Sequence, residues 1–249
     1  MIVLWIIFAL FFVSYAIGFP ALWLMLTAWS VGLSVYLLIK SKLPSPAYIL
    51  ISIAFAIIVA LSYLGYALKF YMQIPISGIS CFLSSLAVFS VMEKCGGYVL
   101  VKTDRKTSVF VSVLLGVVTG AILGLINLLL SKSSMNVDFA VTFPRILLSL
   151  NPGIYEEIAS RAIFMAFCTY RFAMQDKSPS RFQKFTMLFM MTVPHCLAHG
   201  FPLVGSLVLL VLFGFPFAFL QRKRDILSAI IAHTIVDLIR FVVFGIPVQ

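Results

Sequence analysis

Repeated stretches of about 17 to 23 residues without a charged side chain constrain this chain most, because a helix needs that length to span roughly 30 Å of hydrocarbon at about 1.5 Å per residue. These stretches lack a two-residue alternation of apolar and polar positions, which selects helices over a β-barrel. Composition agrees: 62% of the 249 residues are hydrophobic and 10% are charged, too little polar surface to cover a water-soluble core. The expected fold is an all-α, polytopic transmembrane helix bundle of about eight or nine spans, with the lipid bilayer as its solvent.

Candidate spans fall at about 2–18, 20–39, 47–68, 72–92, 108–130, 154–171, 185–200, 204–220 and 226–244. The turn signal Gly18-Phe19-Pro20 makes the first two either separate spans or one re-entrant hairpin, which is why the count is open by one. No Lys or Arg precedes Lys40, so the basic start of a cleaved secretory signal is missing and the first stretch is expected to be a retained span.

A net charge of +10 would suggest nucleic acid in a soluble protein, but here the basic residues sit in short connections between apolar runs. A membrane surface accounts for them, and no nucleic-acid partner is expected. With the N-terminus in the cytoplasm, the inner connections hold Lys40, Lys42, Lys94, Lys102, Arg105, Lys106, Lys177, Arg181, Lys184, Arg222, Lys223 and Arg224. The outer side is left with Lys69, Lys132 and Arg145, so the expected orientation is N-terminus cytoplasmic and C-terminus outside. Cys81, Cys95, Cys168 and Cys196 show no metal or disulfide spacing and read as small apolar residues.

The first five candidate spans carry no ionisable side chain in their interiors, whereas the last four carry Glu156, Glu157, Arg161, His195, His199, His233, Asp237 and Arg240. An ionisable group in hydrocarbon costs about 2.5 kcal/mol or more, so such a gathering requires internal partners or a hydrated cavity and marks a functional site. Glu157 and Arg161, His195 and His199, and His233 and Asp237 are each four residues apart and share a helix face. Glu156 lies about 100° around an α-helix from Glu157, so the two carboxylates are expected to point apart, one to chemistry and one to architecture. Glu157 and Arg161 also read as a purely architectural ion pair, and a lone His199 as a histidine bonded to backbone. The chain has three histidines, and all fall on the helices that carry the acids. Arg240, near the end of its span, reads as an interfacial anchor without chemistry.

A carboxylate beside imidazoles can activate water as a general base, and a further imidazole can donate to a developing oxyanion, which together suffice for amide hydrolysis. The ordered motifs are also those of a known family. Glu156-Glu157-Ile158-Ala159-Ser160-Arg161 reads as EExxxR, His195-Cys196-Leu197-Ala198-His199 takes the FxxxH position, and His233-Thr234-Ile235-Val236-Asp237 fits HxxxN/D. In this order on three late helices they resemble the CPBP intramembrane proteases, which include CAAX prenyl endopeptidases and the bacterial bacteriocin-processing or immunity proteins called Abi. The resemblance covers about residues 143–245 and implies a division into N-terminal transmembrane spans, 1–140, and a CPBP-like catalytic core, 141–249.

The resemblance implies Glu156 as general base, His199 as partner in holding the attacking water, and His233 with Asp237 on the oxyanion side. Glu157 would orient the site through Arg161, and His195, standing where the family has Phe, would be a supporting third imidazole. Asp237 stands where Asn is commoner, and because an ionised Asp cannot donate, it is either protonated or orients His233. The family resembles a glutamate-dependent protease without an obligatory metal, so no cofactor is expected. Zinc stays open, because His195 and His199 have ligand spacing and a carboxylate can complete a set, although HExxH is absent. A Cys196 nucleophile is a further option.

Rival classes are a proton-coupled transporter, disfavoured by the absence of paired halves, and a noncatalytic scaffold or bacteriocin-immunity protein. The expected substrate is a peptide or membrane-associated protein, and the short connections fit a bacterial plasma membrane.

Overall fold

The computed structural model describes residues 1–15, 19–63, 73–103, 108–131, 136–175 and 178–246, with the side chains of residues 19 and 20 left out. Gly18 of the proposed turn, and Lys69, Arg105, Lys106, Lys132 and Lys177 of the charge pattern, lie outside these residues. The described residues form helices and no strands. In chain order the helices are α1 (Ile2–Tyr15), α2 (Phe19–Ser41), α3 (Pro46–Ser62), α4 (Gln73–Cys95), α5 (Val109–Ser131), α6 (143–173), α7 (Arg181–Ala198), α8 (Leu203–Lys223) and α9 (Ile226–Phe244). The expected all-α bundle is the fold observed. Among the described residues, five helical stretches are long and apolar enough to cross a membrane, namely Ala21–Ser41, Gln73–Cys95, Val109–Ser131, Leu203–Lys223 and Ile226–Phe244. Ile2–Tyr15 and Pro46–Ser62 are apolar but shorter.

One boundary differs substantially from expectation. The span expected at 154–171 is part of α6, which begins at Phe143 and passes through Asn151-Pro152-Gly153 without a break. A proline inside an α-helix normally breaks the ladder because it has no N–H to donate. Here Pro152 stands at the first position of a π-helical stretch, Pro152–Ala162, where the bonding pattern changes anyway, and the α-helix resumes at Ile163–Ala173. A second π-helical stretch, Leu210–Gly214, interrupts α8.

α6 is the axis of the bundle, with α2, α3, α4, α7, α8 and α9 all packed against it. Without a hydrophobic driving force between helices in lipid, small residues and interhelical hydrogen bonds must hold the bundle. Ser30 Oγ on α2 donates to the Ala159 carbonyl on α6 at 2.5 Å and lies 3.2 Å from Ser84 Oγ on α4. Asn151 on α6 donates to Ser62 Oγ on α3 at 2.9 Å. α5 packs on α9 through Gly116, Gly120 and Gly124, while Leu114, Val118, Ile122, Leu125 and Leu129 on its other side are exposed, as a lipid-facing surface requires.

Both ends of α9 are pinned. At its start the buried Asp225 caps the helix, accepting from Ser228 N at 2.8 Å, Lys102 N at 3.0 Å and Ser112 Oγ at 2.5 Å. Ile226 N and Leu227 N donate to the carbonyls of Val99 and Leu100 at 3.1 and 2.9 Å. At its end, Asp138 N and Ala140 N donate to the carbonyls of Val243 and Val242, and Arg145 donates to Asp138 Oδ2 at 2.5 Å and to the Val242 carbonyl at 3.3 Å. Basic residues collect where α2 and α4 end: Lys94 Nζ donates to the Lys40 carbonyl at 2.8 Å and lies over the Tyr170 ring.

A side chain at Gly120 has nowhere to go: its Cβ would lie 2.7 Å from the Ala232 carbonyl oxygen and 2.8 Å from Ile235 Cβ. Gly120→Leu must force α5 off α9, and overpacking of this kind costs about 1–3 kcal/mol or more. We expect a clear drop in thermal unfolding temperature in detergent for this variant. Gly32→Ala, where no atom lies within 4 Å of the added Cβ, should leave that temperature unchanged or raised.

Candidate active site

The π-helical turn of α6 shapes the site. An i→i+5 ladder widens the helix and reduces the angular step between successive side chains, and such turns are frequent at functional sites. The 100° separation expected for Glu156 and Glu157 therefore does not hold. Instead their carboxylates reach opposite nitrogens of one ring: His233 Nδ1 donates to Glu157 Oε1 at 2.7 Å, and His233 Nε2 lies 3.6 Å from Glu156 Oε2. The close approach of α6 to α9 that allows this rests on Gly153, whose Cβ would collide with Thr234 Oγ1 and sit 3.0 Å from the Ile230 carbonyl.

Glu156, Glu157, Arg161, His195, His199, His233 and Asp237, all singled out from the sequence, lie in one chain of contacts. Arg161 and Glu157 form an ion pair along α6, with both side chains withdrawn from solvent. His195 Nε2 on α7 lies 3.0 Å from Glu156 Oε2. His199, one turn on, has its Nδ1 3.0 Å from the His195 carbonyl, and the two rings meet edge to face at 4.8 Å. Asp237 Oδ2 lies 3.4 Å from His233 Nε2. The Cys196 thiol turns instead to α8, where it packs against Gly214.

Exposure divides the cluster in two. Glu157, Arg161, His195 and His233 are buried, while Glu156, His199 and Asp237 are half-buried. The half-buried set forms the more exposed face of the cluster, and the buried set lies behind it. Glu156 Oε2 has no aligned hydrogen-bond donor among the described residues even though His195 Nε2 is close. One carboxylate oxygen of Glu156 and one nitrogen each of His195 and His199 lie within 4.8 Å of one another, so one atom placed between them can contact all three.

Several side chains at the site were not singled out from the sequence. Gln221, buried near the end of α8, donates from Nε2 to Glu157 Oε2 at 2.7 Å and to the Glu157 carbonyl at 2.9 Å. In the sequence it reads as the first residue of the basic connection Gln221-Arg222-Lys223-Arg224, with nothing to mark it as buried. Phe217 stacks on His233 at 4.6 Å and lies under the Arg161 guanidinium at 5.3 Å, a cation–π contact. Trp23, from an apolar stretch of α2, places its ring 5.9 Å from both His195 and His199. An aromatic residue in an apolar span carries no signal that separates a site wall from packing.

Residues 138–239 match a family model described as type II CAAX prenyl endopeptidase Rce1-like. This region of the chain is Rce1-like. The match contains the π-helical turn of α6, His195 of α7 and His199 just past its end, Gln221, His233 and Asp237, and leaves the first 137 residues outside. The three motifs that carry the resemblance read from the sequence all lie within the matched residues, and the match supports a resemblance to CAAX-protease-type membrane proteins over this region. No curated protein and no solved structure matches the chain.

Within the Rce1-like region, the buried Arg161 is the cation nearest to Glu157. Removing one member of a buried ion pair leaves an uncompensated charge, at a cost of about 3–5 kcal/mol. Arg161→Leu should therefore lose stability of that order in reversible unfolding from mild detergent, far more than replacement of an exposed arginine such as Arg181.

Proposed function

We propose that this protein is an intramembrane endopeptidase that cleaves a peptide or membrane-associated protein by attack of a water activated at Glu156. The observation that carries this reading is the convergence of Glu156, His195 and His199 within 4.8 Å. Three acceptors or donors so close can share one water at ordinary hydrogen-bond distances of about 2.8 Å. The half-burial of Glu156 and His199 supports it, since the reacting groups have to be reachable by substrate.

In this mechanism Glu156 takes a proton from the water as its oxygen bonds to the scissile carbonyl carbon, giving a tetrahedral oxyanion. His195 and His199 hold the water in line. His233 turns Nε2 to the same space, and when both ring nitrogens carry protons it donates from Nε2 to the oxyanion. Asp237, at 3.4 Å from that nitrogen, orients the ring; as an ionised carboxylate it is an acceptor only and does not serve the oxyanion itself. Glu156 then passes its proton to the leaving amine as the C–N bond breaks. Glu157 stays outside the chemistry, because Arg161, His233 and Gln221 already occupy both of its oxygens. No cofactor enters this scheme.

The basic residues gathered at the ends of α2, α4 and α8 support the orientation in which that end of the bundle is cytoplasmic, as the positive-inside rule requires. A bacterial plasma membrane is the location we propose. The family description makes a prenylated peptide with a CAAX end the first substrate to try.

The same three atoms also support a second reading, in which Glu156, His195 and His199 would hold zinc and the metal would supply Lewis-acid activation of a water. One assay separates the two. Purified protein in liposomes is given a farnesylated, internally quenched CAAX peptide, with and without a metal chelator, alongside Glu156→Gln and His199→Ala. We expect Glu156→Gln to lose about 100- to 10,000-fold in rate, the contribution of a positioned general base, with His199→Ala also impaired and the chelator without effect. Loss of wild-type activity on chelation moves zinc to first place. Cleavage by Glu156→Gln at the wild-type rate rejects the glutamate mechanism.

A further inference from the structure

Gln221 contributes a single amide nitrogen to the site, and that nitrogen grips Glu157 twice, at its carboxylate (2.7 Å) and at its own carbonyl (2.9 Å). The carboxylate has two oxygens with different tasks. Oε1 accepts from Arg161 and from His233 Nδ1, while the donor to Oε2 among the described residues is Gln221. We propose that Gln221 is a positioning residue which, by holding Oε2, locks the Glu157 carboxylate and through it the His233 ring, so that Nε2 is presented to the reacting groups. The inference rests on the reading of Glu156 and His233 given above.

The physical argument is one of rotation. A carboxylate held at one oxygen turns about its last bond and carries that oxygen out of line with its partner, whereas one held at both oxygens does not. Arg161 shares the Oε1 attachment with His233, whereas Oε2 accepts from Gln221. Gln221 comes from α8 and His233 from α9, so the Glu157 carboxylate is clamped between two other helices. Packing alone does not account for the residue. Gln221 Oε1 is buried without an aligned donor among the described residues, a penalty that an apolar side chain of the same length would avoid. What such a replacement would forfeit is the grip on Glu157.

Two measurements test this, and the first needs no substrate. The chain has three histidines, so labelling with ¹⁵N-histidine gives three rings, and the His233 signals are assigned by their loss in His233→Gln. Gln221→Met should shift the Nδ1–H resonance that His233 owes to Glu157 and leave those of His195 and His199 in place. Unchanged His233 resonances overturn the proposal.

The second measurement uses the farnesylated CAAX peptide. Gln221→Met should lower kcat about 10- to 100-fold, the usual effect of removing a group that orients a reacting residue, with KM unchanged. In a Glu157→Gln background the same replacement should cost nothing further, because the carboxylate it acts through is gone. A full multiplicative loss in that background shows that Gln221 acts by packing or through the Glu157 carbonyl, and rejects the proposal. If Glu156→Gln cleaves as wild type does, the catalytic reading fails, and the His233 spectrum still decides whether Gln221 positions that ring.

Discussion

A carboxylate buried in a membrane bundle has to be answered by donors from the protein, and Glu157 is the point at which this requirement organises the structure. Its charge is met by Arg161 from its own helix, His233 from α9 and Gln221 from α8, so three helices are tied together where lipid offers no alternative partner. Glu156, the next residue, then reaches α7 through His195. Two adjacent acids thus differ in role: the fully buried one consumes hydrogen bonds to hold the bundle, and the half-buried one faces the imidazoles of His195 and His233.

The π-helical stretch makes this division possible. In an α-helix, neighbouring side chains diverge by about 100°, and Glu156 and Glu157 would have to address different partners. In the widened turn they bracket a single imidazole instead. Pro152 at the first position of the stretch and Gly153 beside Thr234 are the local features that accompany it, one lacking a donor and the other lacking a side chain.

Much of this was legible in the residues alone. The charge-free stretches are enough to specify a helical membrane bundle, because only lipid accommodates so little polar surface. The segregation of every histidine with the acids on the late helices points to the candidate site, and the motif order points to the resemblance that the family match over residues 138–239 supports. What could not be read is whatever depends on helix geometry or on neutral side chains. Nothing in Asn151-Pro152-Gly153 distinguishes the end of a helix from a passage into π geometry, so α6 was expected to start about three turns too late. Gln221 was hidden by the basic run that follows it, and Trp23 by the apolar residues around it. Neutral polar and aromatic groups carry no electrostatic penalty large enough to betray their location.

The two clamps on α9 give the site a mechanical asymmetry. Asp225 fastens one end of that helix to the segment before α5, and the strap of residues 138–140 with Arg145 fastens the other, so His233 and Asp237 sit on an element hydrogen-bonded to its surroundings at both ends. The opposite wall is built differently. α7 borders an apolar cavity of about 310 Å³ that it shares with α1 and α8, lined by Phe8, Phe12, Cys196, Leu207 and Leu210 among others. The candidate site therefore has one wall pinned at both ends and another that borders an apolar cavity.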